Sequence, residues 1–160
     1  MNAIFWLPAI CVAMHMTEEF IWPSGFSAWF RAYRTENALS FTPRFAFWIN
    51  ALLVVATLAL GWMDPMWSRG VSLWLTIVAI LGGNALLHIR GVVRMRRYSP
   101  GVVTGTLLYL PLCIGGYWYF MGSGAATLQM AVLSFLLGVS YDFWSRMNHR
   151  RRAAMMSTSV

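Results

Sequence analysis

Long apolar stretches broken by short arginine-bearing connections set the pattern of this chain. A hydrocarbon core about 30 Å thick needs roughly 20 helical residues to cross it. Five stretches meet that length: about Ala3 to Trp22, Arg44 to Met63, Gly70 to Arg90, Gly101 to Met121 and Ala125 to Trp144. Thr42-Pro43 offers the second stretch an N-cap and a proline at its first position. Asp64-Pro65 and Gly122-Ser123-Gly124 read as sharp connections. Trp22, Trp48, Trp62, Trp67, Trp74, Trp118 and Trp144 fall at the ends of the stretches, where amphipathic rings prefer to sit. The pattern predicts an all-α fold, a polytopic helical membrane bundle. Residues 1–145 form one five-span transmembrane domain and residues 146–160 a basic cytoplasmic tail.

Smaller periodicities refine this reading. Phe26, Trp29, Phe30 and Tyr33 recur at helical spacing, with Arg31 and Arg34 off the stripe, which predicts a short interfacial helix. The pairs Gly101/Gly105 and Ser134/Gly138 place small residues four apart, and Gly82-Gly83 and Gly115-Gly116 also permit close approach. Internal packing is the favoured use of these positions, with a homo-oligomer as the alternative. Pro111, in mid-span, should kink its helix and free a carbonyl near Leu107. There is no internal repeat of the kind many transporters carry.

Composition and charge agree with a membrane setting. Hydrophobic residues make up 59% and charged residues 11% of 160. Soluble domains run at about a quarter charged, so an ordinary soluble enzyme and a disordered chain are both excluded. The basic residues number 12, all arginine, against 5 acidic ones, for a formal charge of +7. Such an excess suggests nucleic acid until the arginines are placed. With five spans, all of them except Arg69 lie on one face, and that face is then the cytoplasmic one. The N-terminus is expected outside and the C-terminus in the cytoplasm, in the inner or plasma membrane, with no nucleic-acid partner. Arg150-Arg151-Arg152 could touch anionic headgroups or serve only as a topology signal. Cys11 and Cys113 lie in apolar stretches and are expected to be buried thiols. No secretory signal peptide is expected, since residues 1–10 lack basic residues.

Ionisable side chains within a span are costly and mark function. The first span holds His15, Glu18 and Glu19, spaced so that both carboxylates share a helix face with the histidine. The third span adds Asn84 and His88, four residues apart. Both spans exit on the cytoplasmic side, so these residues share a depth, to which the fifth span adds Tyr141 and Asp142. Tyr98-Ser99-Pro100-Gly101 is a turn at the mouth of this layer. His149, in the arginine-rich tail, is expected to be solvated.

His15-Met16-Thr17-Glu18-Glu19, a second histidine at His88, and Tyr98-Ser99-Pro100-Gly101 together resemble the HXXEE-motif membrane proteins. The resemblance covers roughly the first two-thirds of the chain. It implies that these residues form the site; it implies no reaction, because the family has no established activity.

Three chemistries fit the cluster. A metal site leads, with His15 and His88 giving nitrogens and Glu18 and Glu19 giving oxygens. Zinc comes first, with iron or manganese as alternatives. Glu19 and Tyr98 are the candidate catalytic residues, Glu19 as a base. Metal-free proton transfer and a structural polar network are the other two. Asn84 and Asn50 are read first as interhelical contacts, and Asp142 as a partner of Arg146. The leading function is a metal-dependent membrane enzyme, a hydrolase first and an iron-dependent oxidase second. It would act on a lipid or lipophilic molecule from the cytoplasmic leaflet. The alternatives are a metal-free isomerase and a proton- or cation-coupled transporter.

Overall fold

The computed structural model describes residues 3–63 and 68–157. Asp64-Pro65 and Trp67 lie outside the described residues. Among the described residues the fold is helical throughout and has no strand. A 3-10 turn (Ala3–Trp6) leads into α1 (Leu7–Phe20), followed by α2 (Phe26–Tyr33), a 3-10 turn (Thr35–Asn37) and α3 (Pro43–Gly61). Next come α4 (Ser68–Met95), α5 (Val102–Thr104), a π-helical segment (Gly105–Tyr109), α6 (Leu110–Gly122) and α7 (Leu128–Ser157).

Local chemistry sets several of these boundaries. Thr42 Oγ1 accepts from the Phe45 N–H at 3.2 Å, with Pro43 in the first turn, so α3 starts where the sequence places a cap. Gly25 and Gly101, with φ of 93° and 97°, supply the left-handed residues that open α2 and α5.

Helix α4 is the hub. Trp74, Leu75, Val78, Leu81 and Ala85 are fully buried along it. Small residues bring the neighbouring helices onto it. Gly138 of α7 seats against Thr76, Ala79 and Ile80; Gly116 of α6 seats against the Trp74 ring; Gly105 faces Ala85. Ser72 and Ser134 hydroxyls meet at 3.0 Å. The small-residue pairs therefore serve packing within the bundle. Trp74 belongs to this core rather than to an interfacial belt, and its Nε1–H donates to the Ile4 carbonyl at 3.1 Å. Trp22, Trp48, Trp62, Trp118 and Trp144 are exposed, as side chains facing lipid or headgroups should be.

Among the described residues, three helices are long and apolar enough to cross a membrane: Pro43–Gly61, Arg69–Met95 and Val102–Gly122. That is fewer than the five stretches of the sequence pattern. Helix α1 has only 14 residues and carries its ionisable cluster in its last two turns. Helix α7 has 30, but Asp142, Arg146 and the arginine run dilute its apolar character.

Other expectations are corrected by packing. The apolar stripe of α2 faces protein: Phe26, Trp29 and Phe30 are buried together with Phe41 and Ala46. The backbone shift before Pro111 takes the form of the π-helical segment, a means of absorbing a proline inside a helix. Asn50 donates to Ala46 on its own helix at 2.8 Å instead of bridging two helices. His149 is 3% exposed, not solvated, because Ser40 and the rings of Phe30, Phe41 and Phe45 enclose it. Cys11 and Cys113 are free thiols, partly buried.

Candidate functional site

Burial defines the site before its chemistry does. His15, Glu18, Glu19 and His88 are 2%, 6%, 4% and 0% exposed. The i, i+4 spacing puts His15 and Glu19 on one face of α1, turned toward Asn84 and His88 on α4. Rings close the space around them. The Tyr109 ring lies over His15, with centroids 4.4 Å apart, and the Trp29 ring stacks on His88 at 5.5 Å. Helix α2 is thus the wall that covers His88.

The Tyr98 to Gly101 turn closes one end of the site. A β-carbon on Gly101 would stand 2.7 Å from Cε1 of both His15 and His88. Contact with both imidazoles and a left-handed φ both require glycine there. The same turn places Ser99 Oγ 2.8 Å from His88 Nδ1.

Glu18 points into the N-terminus of α5, which follows this turn. Its Oε1 accepts from the Tyr98 hydroxyl at 2.5 Å and from the Val103 N–H at 3.1 Å. Its Oε2 accepts from the Thr104 N–H at 2.7 Å and the Thr104 hydroxyl at 2.5 Å. Four donors satisfy this buried carboxylate, and two of them are free N–H groups of a helix start. Partial burial and the Glu18 charge push the Tyr98 phenol up to about 12, so it remains a donor at neutral pH.

This arrangement fixes a proton. The one hydroxyl proton of Thr104 goes to Glu18, so Thr104 Oγ1 accepts from His15 Nδ1–H, 2.8 Å away. A neutral His15 therefore carries a lone pair on Nε2, which accepts from the Asn84 amide at 3.1 Å. That lone pair also faces Glu19 Oε1 at 3.3 Å, and His88 Nε2 lies 3.2 Å from the same oxygen. His88 Nε2 is buried with no hydrogen-bond partner among the described residues. Three donor atoms, all within 4.8 Å of one another, thus turn toward a common point. A tetrahedral site with bonds near 2.0–2.1 Å has edges of about 3.3 Å, the spacing of Glu19 from both nitrogens.

Of the four expected ligands, His15, Glu19 and His88 come together, and Glu18 stands behind them as the acceptor that orients His15 through Thr104. Tyr98 reaches Glu18, not the three-atom cluster. Tyr141 and Asp142 do not join it either; Asp142 pairs with Arg146 and with Arg34, at 2.5 and 3.0 Å. Thr104 and Tyr109 are site residues that the sequence did not single out, and Ser99, quoted only as part of the turn motif, reaches His88. Hydroxyls at a turn and a helix start are common, and only the fold aims these at histidines.

A cavity of about 290 Å³ opens beside the cluster, between α2, α3, α4 and α7. Glu19, Arg34, Asn84 and Asp142 are among its polar lining residues.

A sequence-family model described as a protein of unknown function with HXXEE motif matches residues 6–115. No curated protein and no solved structure matches the chain.

Proposed function

The chain belongs to the HXXEE-motif family, and we propose that it is a membrane-embedded metal-dependent enzyme whose metal is held by His15, Glu19 and His88. The observation that carries this reading is the pair of acceptors, His15 Nε2 and Glu19 Oε1, facing each other at 3.3 Å with no proton assigned between them. A cation removes that repulsion. The partner of the other His15 ring nitrogen supports the same reading, since ligating histidines usually donate their other N–H to an oxygen. Here His15 does so through Thr104 to Glu18.

Two imidazoles and one carboxylate suit zinc with an open position, and also a non-haem ferrous ion. Zinc and hydrolysis are the first choice, and iron-dependent oxidation the second. A bound divalent metal would polarise a substrate oxygen or acidify a bound water. The chain's own groups supply the rest. Glu19 lines the cavity, so its carboxylate can take a proton from water or substrate. The buried site, adjoining an apolar cavity, favours a lipid or lipophilic substrate.

The membrane arrangement belongs to the same proposal. Helices α1 and α7 complete a five-span bundle around the three long apolar helices, α2 lies at the cytoplasmic interface, and the N-terminus faces outside. The one-sided arginine distribution supports that orientation. Reporter fusions at the two ends should report opposite sides, and matching sides would overturn it.

Elemental analysis of the detergent-purified protein tests the metal. The parent should hold about one metal per chain, and a Glu18→Ala, Glu19→Ala double variant none. Glu19→Gln alone should lose it as well, while Glu18→Gln should retain it with weaker affinity. A metal-free parent purified without chelator and then supplied with zinc, iron or manganese that still binds none would overturn the reading.

A further inference from the structure

A second groove lies between the start of α3 and the second half of α7. Phe45 and Ile49 of α3 and Tyr141 and Trp144 of α7 form its apolar walls, and Asn148 and Arg151 are polar lining residues. It measures about 350 Å³. Tyr141 and Trp144 are both exposed, so the groove opens at the surface. Phe45, Ile49, Tyr141 and Ser145 also line the inner cavity, which Glu19, Arg34, Gly83 and Asp142 border, so groove and cavity adjoin.

Helical spacing builds this face. Tyr141, Trp144, Ser145, Asn148 and Arg151 recur at intervals of three or four residues, or one, and make a single stripe along α7. Asp142, Arg146 and His149 fall on the neighbouring stripe, where they meet Arg34 and Ser40. From Tyr141 to Arg151 the groove stripe rises about 15 Å. The headgroup layer is roughly 5–8 Å deep on each side of a bilayer. Aromatic rings at one end of the stripe and an arginine at the other therefore bracket that layer.

The charge of the groove has one sign. Of the five acidic residues, Asp64 lies outside the described residues, beyond the far end of α3. The other four do not line the groove. Glu18 is held by its four donors, and Glu19 faces His15 and His88. Asp142 gives one oxygen to Arg34 and the other to Arg146, and Glu36 lies close enough to Arg146 to raise its pKa. Arg151 lines the groove, and the Arg152 guanidinium stands 4.6 Å from the centre of the Phe45 ring that forms its wall. The inner cavity differs: Glu19 and Asp142 there oppose Arg34, and it selects no anion.

We infer that this groove binds an anionic phospholipid, its phosphate at Arg151 and Arg152 and the first part of one acyl chain against Ile49, Tyr141 and Trp144. The rest of the lipid stays in the bilayer. A zwitterionic phospholipid would bring its ammonium to a groove that no described carboxylate lines, and so binds less tightly. The inference rests on the membrane arrangement proposed above and on none of the metal chemistry.

The test uses the full chain in phosphatidylcholine nanodiscs holding a small fraction of a probe lipid with a diazirine in one acyl chain. The probe is either phosphatidylglycerol or phosphatidylcholine. Photolysis and peptide mapping compare the label on residues 45–49 and 141–148 with that on α6 around the exposed Ile114 and Trp118. Each arginine near the surface favours an anionic lipid by roughly fivefold. Relative to α6, the phosphatidylglycerol probe should label the groove about tenfold more than the phosphatidylcholine probe does. Arg151→Gln with Arg152→Gln should abolish that preference. Arg94→Gln with Arg97→Gln removes the same charge from the connection after α4 and should leave the preference unchanged. Should loss of the Arg152 contact with Phe45 unfold the double variant, Arg151→Gln alone, at an exposed position, should cut the preference severalfold. Equal labelling of the groove by both probes, or an equal fall in the Arg94 and Arg97 variant, overturns the inference. Label on α6 from both probes places the chain in the bilayer, so failure at the groove is distinct from failure of the membrane arrangement; an unlabelled α6 overturns both.

Discussion

The Tyr98 hydroxyl donates to Glu18 Oε1 at 2.5 Å, joining the turn after α4 to the end of α1. The tyrosine is 47% exposed, so its ring lies at the rim while its hydroxyl serves a buried carboxylate. A bond to a charged acceptor contributes about 1.5–3 kcal/mol, and partial exposure favours the low end. Tyr98→Phe should lower the melting temperature slightly and weaken metal binding roughly tenfold, an effect typical of groups that hold the partners of metal ligands in place. Unchanged values in both measurements would return Tyr98 to the role of an interfacial anchor.

Thr104 passes the effect of Glu18 to His15. Thr104→Val keeps the shape, but it takes one donor from Glu18 and strands His15 Nδ1–H. Metal affinity, read by competition with a chromophoric chelator, should fall about 10- to 100-fold. Thr104→Ser should restore most of it. Equal affinity in Thr104→Val and the parent would remove the relay.

Gly101 leaves no room for a side chain between the two imidazoles. Gly101→Ala meets two imidazole carbons at 2.7 Å and forces a left-handed φ on a residue with a side chain. The backbone term alone is about 1–2 kcal/mol. Thermal unfolding should show a large loss, together with loss of metal. Gly105→Ala, whose β-carbon would lie 3.3 Å from Ala85 Cα, should cost less.

His149 makes the C-terminal end of α7 pH-sensitive. The Ser40 hydroxyl donates to the Asn37 carbonyl at 3.0 Å, so it accepts from His149 Nδ1–H at 2.6 Å. Burial, then the charges of Arg152 and Arg34, lowers the His149 pKa below its usual value near 6.5. A depressed histidine favours folding above the unfolded value, and that contribution is lost as pH falls through the folded one. Hydrogen exchange of residues 146–157 should therefore quicken as pH drops below about 6, after correction for intrinsic rates. His149→Phe, which keeps the ring but does not titrate, should flatten that dependence.

The helical class, the apolar stretches and the presence of His15, Glu18, Glu19 and His88 as ionisable residues within apolar runs were legible in the sequence. Apolar length and helical spacing are local properties, and a buried charge in an apolar run stands out without any fold. The Thr42 cap and the Asp142–Arg146 pair were legible for the same reason, since both lie within one turn. Tertiary structure decided how the two glutamates divide their work. They are adjacent in sequence but 100° apart around α1, so one meets the start of α5 and the other meets two imidazoles. It also decided that Trp74, His149 and the α2 stripe are buried, and that Gly83 borders a cavity while Gly82 packs against Cys113. Each of these depends on what a distant segment places opposite the residue, and spacing along the chain carries no record of that.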